Sequence, residues 1–229
     1  MDEAIAYVSS QRAGILQAVR ARAAAARERN RADLQTLLQA AGLHENKGQA
    51  SEARALYRDV LDAEPDWPDA LHAVFCFLIN QGTAASIRTT QADARREYEE
   101  AHRQAQRLTA SDPGNTQWQR DLSVSYNKLG EVAVAQGQLA EAARVYGDSL
   151  AIAKKLVASD LSNTLWQRHL YVSHSKMAGL AERQKKPDQA RGHWQQAFDV
   201  LSAIEKRGLH VSPEDREYLE ILREKAHAK

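Results

Sequence analysis

His72 and Cys76 are the two residues whose types and spacing come closest to a chemical site in this sequence. Four residues apart, they share one face of a helix, where an imidazole and a thiolate can hold a metal ion such as zinc. A zinc site needs further ligands, and no second pair stands at a suitable spacing. Because Cys76 also lies in the apolar run 73–78, we interpret it as a packed core cysteine and predict no metal site.

Motifs of catalysis are equally sparse. The sequence contains no glycine-rich phosphate loop, no GxSxG, no HExxH and no CxxC. Neighbouring acids such as Glu97, Glu99 and Glu100 are interpreted as a solvated helix face rather than as an acid–base pair. The sequence therefore predicts a protein that is not an enzyme and needs no cofactor.

Composition and charge narrow the class of protein. The chain has 229 residues, with 31 basic and 30 acidic side chains, so no overall field favours nucleic acid or an anionic membrane. A single cysteine allows no intrachain disulfide, which suits the cytoplasm. The first ten residues lack the apolar segment of a secretory signal, and no run approaches 18 apolar residues, so we expect neither secretion nor a spanning helix. Only 5 prolines and 11 glycines predict an all-α fold.

One segment of the sequence occurs twice, at 112–128 and again at 160–176. The two copies, DPGNTQWQRDLSVSYNK and DLSNTLWQRHLYVSHSK, are identical at 10 positions. Such a match at a fixed offset indicates a repeated unit of a solenoid. We interpret Trp118 and Trp166 as filling space between the helices, with the following Gln and Arg outside; a ligand-binding ladder is the alternative. His174, at the place of Tyr126, is interpreted as a packed ring.

The repeats resemble the tetratricopeptide repeat, whose unit is a pair of antiparallel helices. In that family a small residue, an alanine, an aromatic and a proline recur at fixed positions. The segment 34–65 has Ala41, Ala53, Tyr57 and Pro65 at these positions. Three later units keep the first three columns: Gly82, Ala94 and Tyr98; Gly130, Ala142 and Tyr146; Ala178, Ala190 and Trp194. The resemblance covers about residues 32–207 and implies an antiparallel helix-hairpin solenoid of four repeats, at 32–65, 66–111, 112–159 and 160–207.

The alanine column predicts lengthened helices. Its intervals are 41, 48 and 48 residues, against about 34 in the family, and each increment of seven adds about two helical turns without changing the buried face. We expect one lengthened helix in the second unit and two in each of the next units. The same register places residues 82–88 in a helix, although their glycine and β-branched residues favour a loop.

The junctions and the two ends have their own signals. Asn115 and Asn163 predict helix N-caps at the junctions. Residues 1–31 predict an amphipathic helix, ending near Glu28, that packs on the array with its arginines in water. Residues 208–229 predict a C-terminal capping helix that starts at Ser212, with Asp215 on its solvated side.

The resemblance also implies a binding groove, because in the family the first helices of successive units line a concave surface that receives a peptide or helix. The columns that face this groove fall on Asn80, Asn127, Lys128, Glu131, Lys176, Glu182 and Arg183. Asn80, Lys128 and Lys176 share one column and are candidates to bind a peptide backbone or acidic side chains. The residue set that clamps a C-terminal carboxylate in chaperone-binding members is incomplete, since Leu38 stands at one of its places.

The resulting hypothesis is a cytoplasmic, non-catalytic scaffold or adaptor that captures another protein. The 112–128 unit resembles repeats of large bacterial signalling and defence proteins, which implies a bacterial origin and association with a separate effector protein. Two alternatives stay open. One is a structural subunit that self-assembles through the ends of its array, and the other binds nucleic acid, a disfavoured partner, through the basic N-terminal helix. No membrane partner is expected.

Overall fold

The computed structural model describes the backbone of residues 2–227 and the side chains of residues 17, 21, 22, 25 and 28–226. Over that range the fold is all-α, as predicted, and contains no strand. The helices are α1 (Asp2–Asn46), α2 (Ala50–Ala63), α3 (Pro68–Arg88), α4 (Gln91–Ser111), α5 (Thr116–Ala135), α6 (Leu139–Ser159), α7 (Thr164–Arg183), α8 (Pro187–Lys206) and α9 (Pro213–His227). The chain divides into two compact units, residues 1–73 and 74–229.

The first unit is built on the helix pair α1 and α2. Ala41 and Ala53 are fully buried between them, and the Tyr57 hydroxyl donates to Glu45 at 3.0 Å. Helix α1 is continuous for 45 residues, so the predicted end near Glu28 is wrong. The reason is local, because residues 15–41 contain neither proline nor glycine and are rich in strong helix formers. The predicted packing of residues 1–31 on the array falls mostly on side chains outside those described.

The second unit is an array of hairpins, α3/α4, α5/α6 and α7/α8, followed by α9. Each helix from α4 to α8 packs against the next along the chain. Helices α3 to α8 each have 20 or 21 residues, about 30 Å of helix. Both helices of the second hairpin are long, whereas one was expected. The alanine of this unit, Ala94, lies near the start of α4, so most of α4 falls within the interval from Ala94 to Ala142. The extra length of α4 was therefore counted in the third unit.

Helix α3 ends at Arg88, as the repeat register predicts against local propensity. Packing explains why the register prevails: Ile79 and Ala85 contact the buried cluster of Ala94, Tyr98 and Val132. Tertiary contacts of this kind outweigh the few tenths of a kcal/mol per residue that β-branched residues lose in a helix. Thr90 then caps α4, its hydroxyl accepting from the Asp93 amide at 3.1 Å.

The two helices of a hairpin approach most closely where a glycine faces a tyrosine ring. A Cβ atom on Gly82 would overlap the Tyr98 ring, and one on Gly130 would overlap the Tyr146 ring. Both tyrosines are buried, at 2% and 3% exposure. The predicted columns of small and aromatic residues are therefore confirmed as contact points of the hairpins α3/α4 and α5/α6.

The helix ends follow the predicted chemistry. The Asn115 and Asn163 side chains each accept from an amide in the first turn of the next helix, at 3.2 Å. Gly48 and Gly137 turn the chain with φ of 74° and 73°. At the place equivalent to Gly137, Lys185 adopts φ 57°, a left-handed conformation that costs a non-glycine residue about 1 kcal/mol.

Helix α9 closes the array, as predicted, but Asp215 is not on its solvated side. The Asp215 residue is 8% exposed, accepts a hydrogen bond from the Tyr171 hydroxyl and lies 3.0 Å from the Arg168 guanidinium. Its amide also donates to the Ser212 hydroxyl at 3.1 Å. An acid in the first turn therefore anchors α9 to α7 through charge and hydrogen bonds, where only a cap was expected.

The repeated Trp-Gln-Arg segment closes the junctions rather than filling the core. Trp118 and Trp166 are half-buried, and the glutamines are not outside. Gln119 donates to the Pro113 carbonyl at 3.2 Å, and Gln167, 5% exposed, donates to the Leu161 carbonyl. Each glutamine thus satisfies a backbone acceptor of the loop that precedes its own helix.

Cys76 is exposed, so its interpretation as a core cysteine is wrong. Its neighbours Phe75, Phe77 and Leu78 are buried, and the helical turn leaves Cys76 on the other face of α3. With a mean hydropathy of 1.3, α3 is also the one helix in the described part of the chain that is long and apolar enough to cross a membrane. Length and composition alone do not make α3 a spanning helix, and 39% of this segment is buried within the protein. The expectation of no spanning helix therefore stays a prediction.

The Gly130–Tyr146 contact gives a stability prediction. Replacement of Gly130 by Ala should destabilise the protein by about 1–3 kcal/mol, because the new methyl group overpacks the buried ring. A Cβ on Gly192 of α8 meets nothing within 4 Å, so Gly192→Ala should stabilise by about 0.5–1 kcal/mol through helix propensity. Urea unfolding followed by circular dichroism measures both. Equal effects of the two substitutions would contradict the close approach.

Candidate groove site

Buried hydroxyl groups hold α5, α6 and α7 together beneath the candidate site. The Ser149 hydroxyl lies 2.8 Å from that of Ser123 and 3.4 Å from that of Ser173, and it donates to the Ser123 carbonyl at 3.0 Å. These three serines are at most 1% exposed. Because serine is small and its hydroxyl is satisfied here, the helices can pack closely without stranding a polar group. The first helices α5 and α7 thereby hold a fixed spacing.

An open pocket of about 640 Å³ lies between α5, α7 and α9. Helices α6 and α8 contribute one aromatic residue each to it. The lining residues are Glu131, Val134, Tyr146, Ser175, Lys176, Gly179, Leu180, Glu182, Arg183, Trp194 and Lys225. Four of the seven predicted groove residues, Glu131, Lys176, Glu182 and Arg183, are therefore brought together.

One carboxylate joins two lysines across the first helices. Glu131 lies 3.1 Å from Lys128 on its own helix and 2.9 Å from Lys176 on α7. Burial raises the pKa of the Glu131 carboxyl, but the ammonium groups of Lys176 and Lys128 outweigh burial and hold the pKa below its usual range. Lys128 and Lys176 are equivalent residues of the duplicated segment, so the repeat itself places two cations around one acid.

A second carboxylate links the pocket to the capping helix. Glu182 lies 3.0 Å from Lys225 of α9 and accepts a hydrogen bond from the Trp194 indole at 2.9 Å. The Lys225 ammonium is 5.5 Å from the centroid of the Trp194 ring, a cation–π distance. Helix α9 thus follows α5 and α7 as the next helix that lines the groove, and it contributes Lys225. Lys225 was missed because α9 lies beyond the repeat columns; its only sequence signal was its place on the polar face.

Arg183 is the cation of the pocket that has no carboxylate partner. Its side chain is exposed, and no carboxylate oxygen among the described residues lies within 4 Å of it. Its charge acts on the nearby Tyr146 hydroxyl, whose pKa is nevertheless raised, first by burial and then by Glu131. The guanidinium is therefore available to an incoming acceptor.

Solved structures share this arrangement of helices. A histone chaperone of yeast, Hif1, matches with a TM-score of 0.57 and 13% identity over 85% of this chain and 93% of its own. BtubC (BKLC) of P. vanneervenii matches with a TM-score of 0.52 and 15% identity, over 81% of this chain and 70% of its own. A kinesin light chain with TPR-like repeats aligns at 17% identity over 84% of this chain and 93% of its own, with a TM-score of 0.43.

The fold is a tetratricopeptide-like array of helix hairpins. The hairpins, the glycine–tyrosine contacts and the two stronger matches agree on the fold, and identities this low speak to the fold alone. No family model matches the chain, and no curated protein sequence matches it.

The floor of the tetratricopeptide-like groove is apolar. Tyr146 and Leu180, each 3% exposed, pack with the partly buried Val134 in one cluster. A Cβ on Gly179 would meet nothing within 4 Å, so this part of α7 leaves open space above the floor. The pocket therefore combines room for an apolar side chain with a charged rim.

The other three predicted groove residues do not line the pocket. Lys128 reaches it through Glu131, and its ammonium is also 5.9 Å from the centroid of the Tyr98 ring. Asn80 is exposed on α3, one hairpin earlier. Asn127 is 8% exposed, and its side-chain oxygen has no hydrogen-bond partner within the described part of the chain. Burial leaves little of Asn127 for a partner to contact.

Of the histidines in the array, His174 is buried and His169 is partly buried. His174, 4% exposed as the packed-ring interpretation requires, has its Nδ1 atom 3.2 Å from Nδ1 of His193. Arg120 donates to Nε2 of His169 at 2.7 Å, which requires a neutral imidazole. Within the described residues, no group of three or more His, Cys, Asp or Glu side chains is placed to hold a metal ion.

These histidines predict how stability depends on pH. Burial, with repulsion from Arg120 for His169 and from His193 for His174, lowers the pKa of each to about 4. The unfolded histidines take up protons near pH 6.5, so the unfolded chain binds more protons than the folded one between that pH and about pH 4. Stability should therefore be full above the unfolded pKa and should fall as the pH decreases through this window.

The double variant His169→Gln and His174→Gln tests this prediction. Its urea midpoint should change less between about pH 7 and about pH 5.5 than that of the unaltered chain, whatever its stability at neutral pH. An equal change in the two proteins would show that other groups cause the acid sensitivity.

Proposed function

We propose that residues 74–229 form a non-catalytic protein-binding module, a scaffold or adaptor that receives a peptide or helix of a partner protein in the groove of α5, α7 and α9. One observation carries the proposal. Equivalent positions of successive first helices place charged side chains around one open pocket with an apolar floor. A cytoplasmic location, a bacterial origin and a separate effector protein as partner belong to the same proposal.

The chemistry of the lining supports a protein ligand. Trp194, Tyr146 and Arg183 are of the residue types that most often dominate binding energy at protein interfaces. The pocket is open, as suits a segment that enters and leaves along the array. Among the solved structures of this fold, Hif1 is described as a scaffold that recruits protein complexes to core histones.

The two alternatives have weaker support. Self-assembly through the array end is favoured only by the half-exposed Leu165 and Ile221, and single apolar residues on a surface are ordinary. Nucleic-acid binding was expected to use the basic side chains of residues 1–31, and those of Arg12, Arg20 and Arg27 lie outside the ones described.

Filling the pocket tests the proposal. Replacement of Gly179 by Met puts a long side chain into the pocket from a position where an added Cβ atom would meet no other atom within 4 Å. Peptides selected by the whole chain from a phage-displayed random library should bind Gly179→Met at least about tenfold more weakly. The helix itself should gain stability from the loss of glycine, by about 1 kcal/mol.

Gly192→Met is the matched control. Gly192 lies on α8 and is exposed, and a Cβ atom added to it would meet no other atom within 4 Å, but it does not line the pocket. The selected peptides should bind this variant as they bind the unaltered chain. If no selected peptide distinguishes the two variants, the groove assignment fails.

A further inference from the structure

The charges around the pocket are unequal, although the whole chain is nearly neutral. The cations that line it are Lys176, Arg183 and Lys225, and the acids are Glu131 and Glu182. One positive charge is therefore in excess among the residues that line the pocket, as much as the net charge of +1 that all 229 residues carry together. An excess of positive charge in so small a region attracts a negative charge.

The internal ion pairs leave specific places for incoming carboxylates. Arg183 has no carboxylate partner within the described residues and presents a planar fork that matches a carboxylate. Glu131 is shared by two lysines, so Lys176 can pair with a second carboxylate while Glu131 keeps its 3.1 Å contact with Lys128. The groove can thus accept two acidic groups without leaving any of its own charges unpaired.

The space between these cations is apolar. Gly179 leaves room above Leu180 and Val134, and Tyr146 closes the floor. An apolar side chain there is removed from water and stabilises binding by about 25 cal/mol per Å² buried. A neutral segment would gain this contact but would desolvate Arg183 without pairing it, which is costly.

From these observations we infer that the ligand of this groove is an acidic polypeptide segment, with carboxylates that pair with Arg183 and Lys176 on either side of a bulky apolar side chain seated over Gly179. The inference rests on the proposed function and specifies its partner. The ligand does not need a free C-terminal carboxylate, because Arg183 and Lys176 would pair with the carboxylates of Asp or Glu side chains. Binding should weaken as salt concentration rises, since the rim is solvent-exposed.

A nucleic acid is also acidic, but the groove suits a polypeptide better. Base stacking on Trp194 is hindered because Lys225 lies over its ring and Glu182 holds its indole nitrogen. Only one positive charge is in excess among the lining residues, whereas non-specific nucleic-acid binding depends on many phosphate contacts. The apolar floor has no role in phosphate binding.

The test uses the whole chain and the peptides selected from the phage-displayed library. The peptides that depend on Gly179 should contain Asp or Glu on both sides of Leu, Ile, Met or Phe. For one fluorescein-labelled peptide, a double-mutant cycle pairs Arg183→Gln with replacement of each acidic residue by its amide. For the acid that pairs with Arg183, each single change should weaken binding about tenfold, and the two together little more than one alone.

Other outcomes separate the two proposals. Gly179-dependent peptides that are neutral or basic, or full additivity for every acid in the cycle, would overturn the acidic ligand and leave the groove assignment standing. Displacement of the labelled peptide by oligothymidylate at equal concentration would replace the polypeptide with a nucleic acid. Peptides indifferent to Gly179→Met would overturn the groove itself. Asp188→Asn, at the exposed start of α8 and outside the pocket, is the control for general charge effects.

Discussion

The close approach of two helices at a glycine under a tyrosine ring is the contact on which the rest of the array depends. At Gly82 and Gly130 there is no space for a Cβ atom, and the buried Tyr98 and Tyr146 rings occupy it. This contact sets the spacing within the hairpins α3/α4 and α5/α6. The buried serine hydroxyls then set the spacing from α5 through α6 to α7. With both spacings set, side chains at equivalent positions of successive first helices become neighbours.

That neighbourhood explains the electrostatics of the groove. The duplication puts a lysine at the same place on α5 and α7, and two such cations near each other would repel without an acid between them. Glu131 supplies that acid at 3.1 Å and 2.9 Å. At the end of the array the repeat stops, and Lys225 of α9 pairs with Glu182 instead. The buried Asp215 makes this possible because its contacts with Arg168 and Tyr171 hold α9 against α7.

The sequence predicted the features that recur in every repeat, and few of the features that occur once. The columns predicted the hairpins, the junction caps and the end of α3 at Arg88, because packing at fixed spacing outweighs local propensity. They also predicted four residues that meet in one pocket. They did not predict Lys225, which has no column, or the burial of Asp215, which depends on partners 44 and 47 residues away. The exposure of Cys76 and the burial of Asn127 depend on helix rotation by a fraction of a turn, which a run of apolar residues does not specify.

Hydrogen–deuterium exchange on the whole chain, with and without a selected peptide, tests the central claim most directly, since it requires no substitution. If a partner segment lies in the groove, the peptide should slow exchange in α5 around Glu131, in α7 from Ser175 to Arg183, and in α9 near Lys225, which together line the pocket. Exchange in α8 around the exposed Gly192, which does not line the pocket, should stay unchanged. Slower exchange confined to α8, or to α1 and α2, with none at α7, would contradict the account.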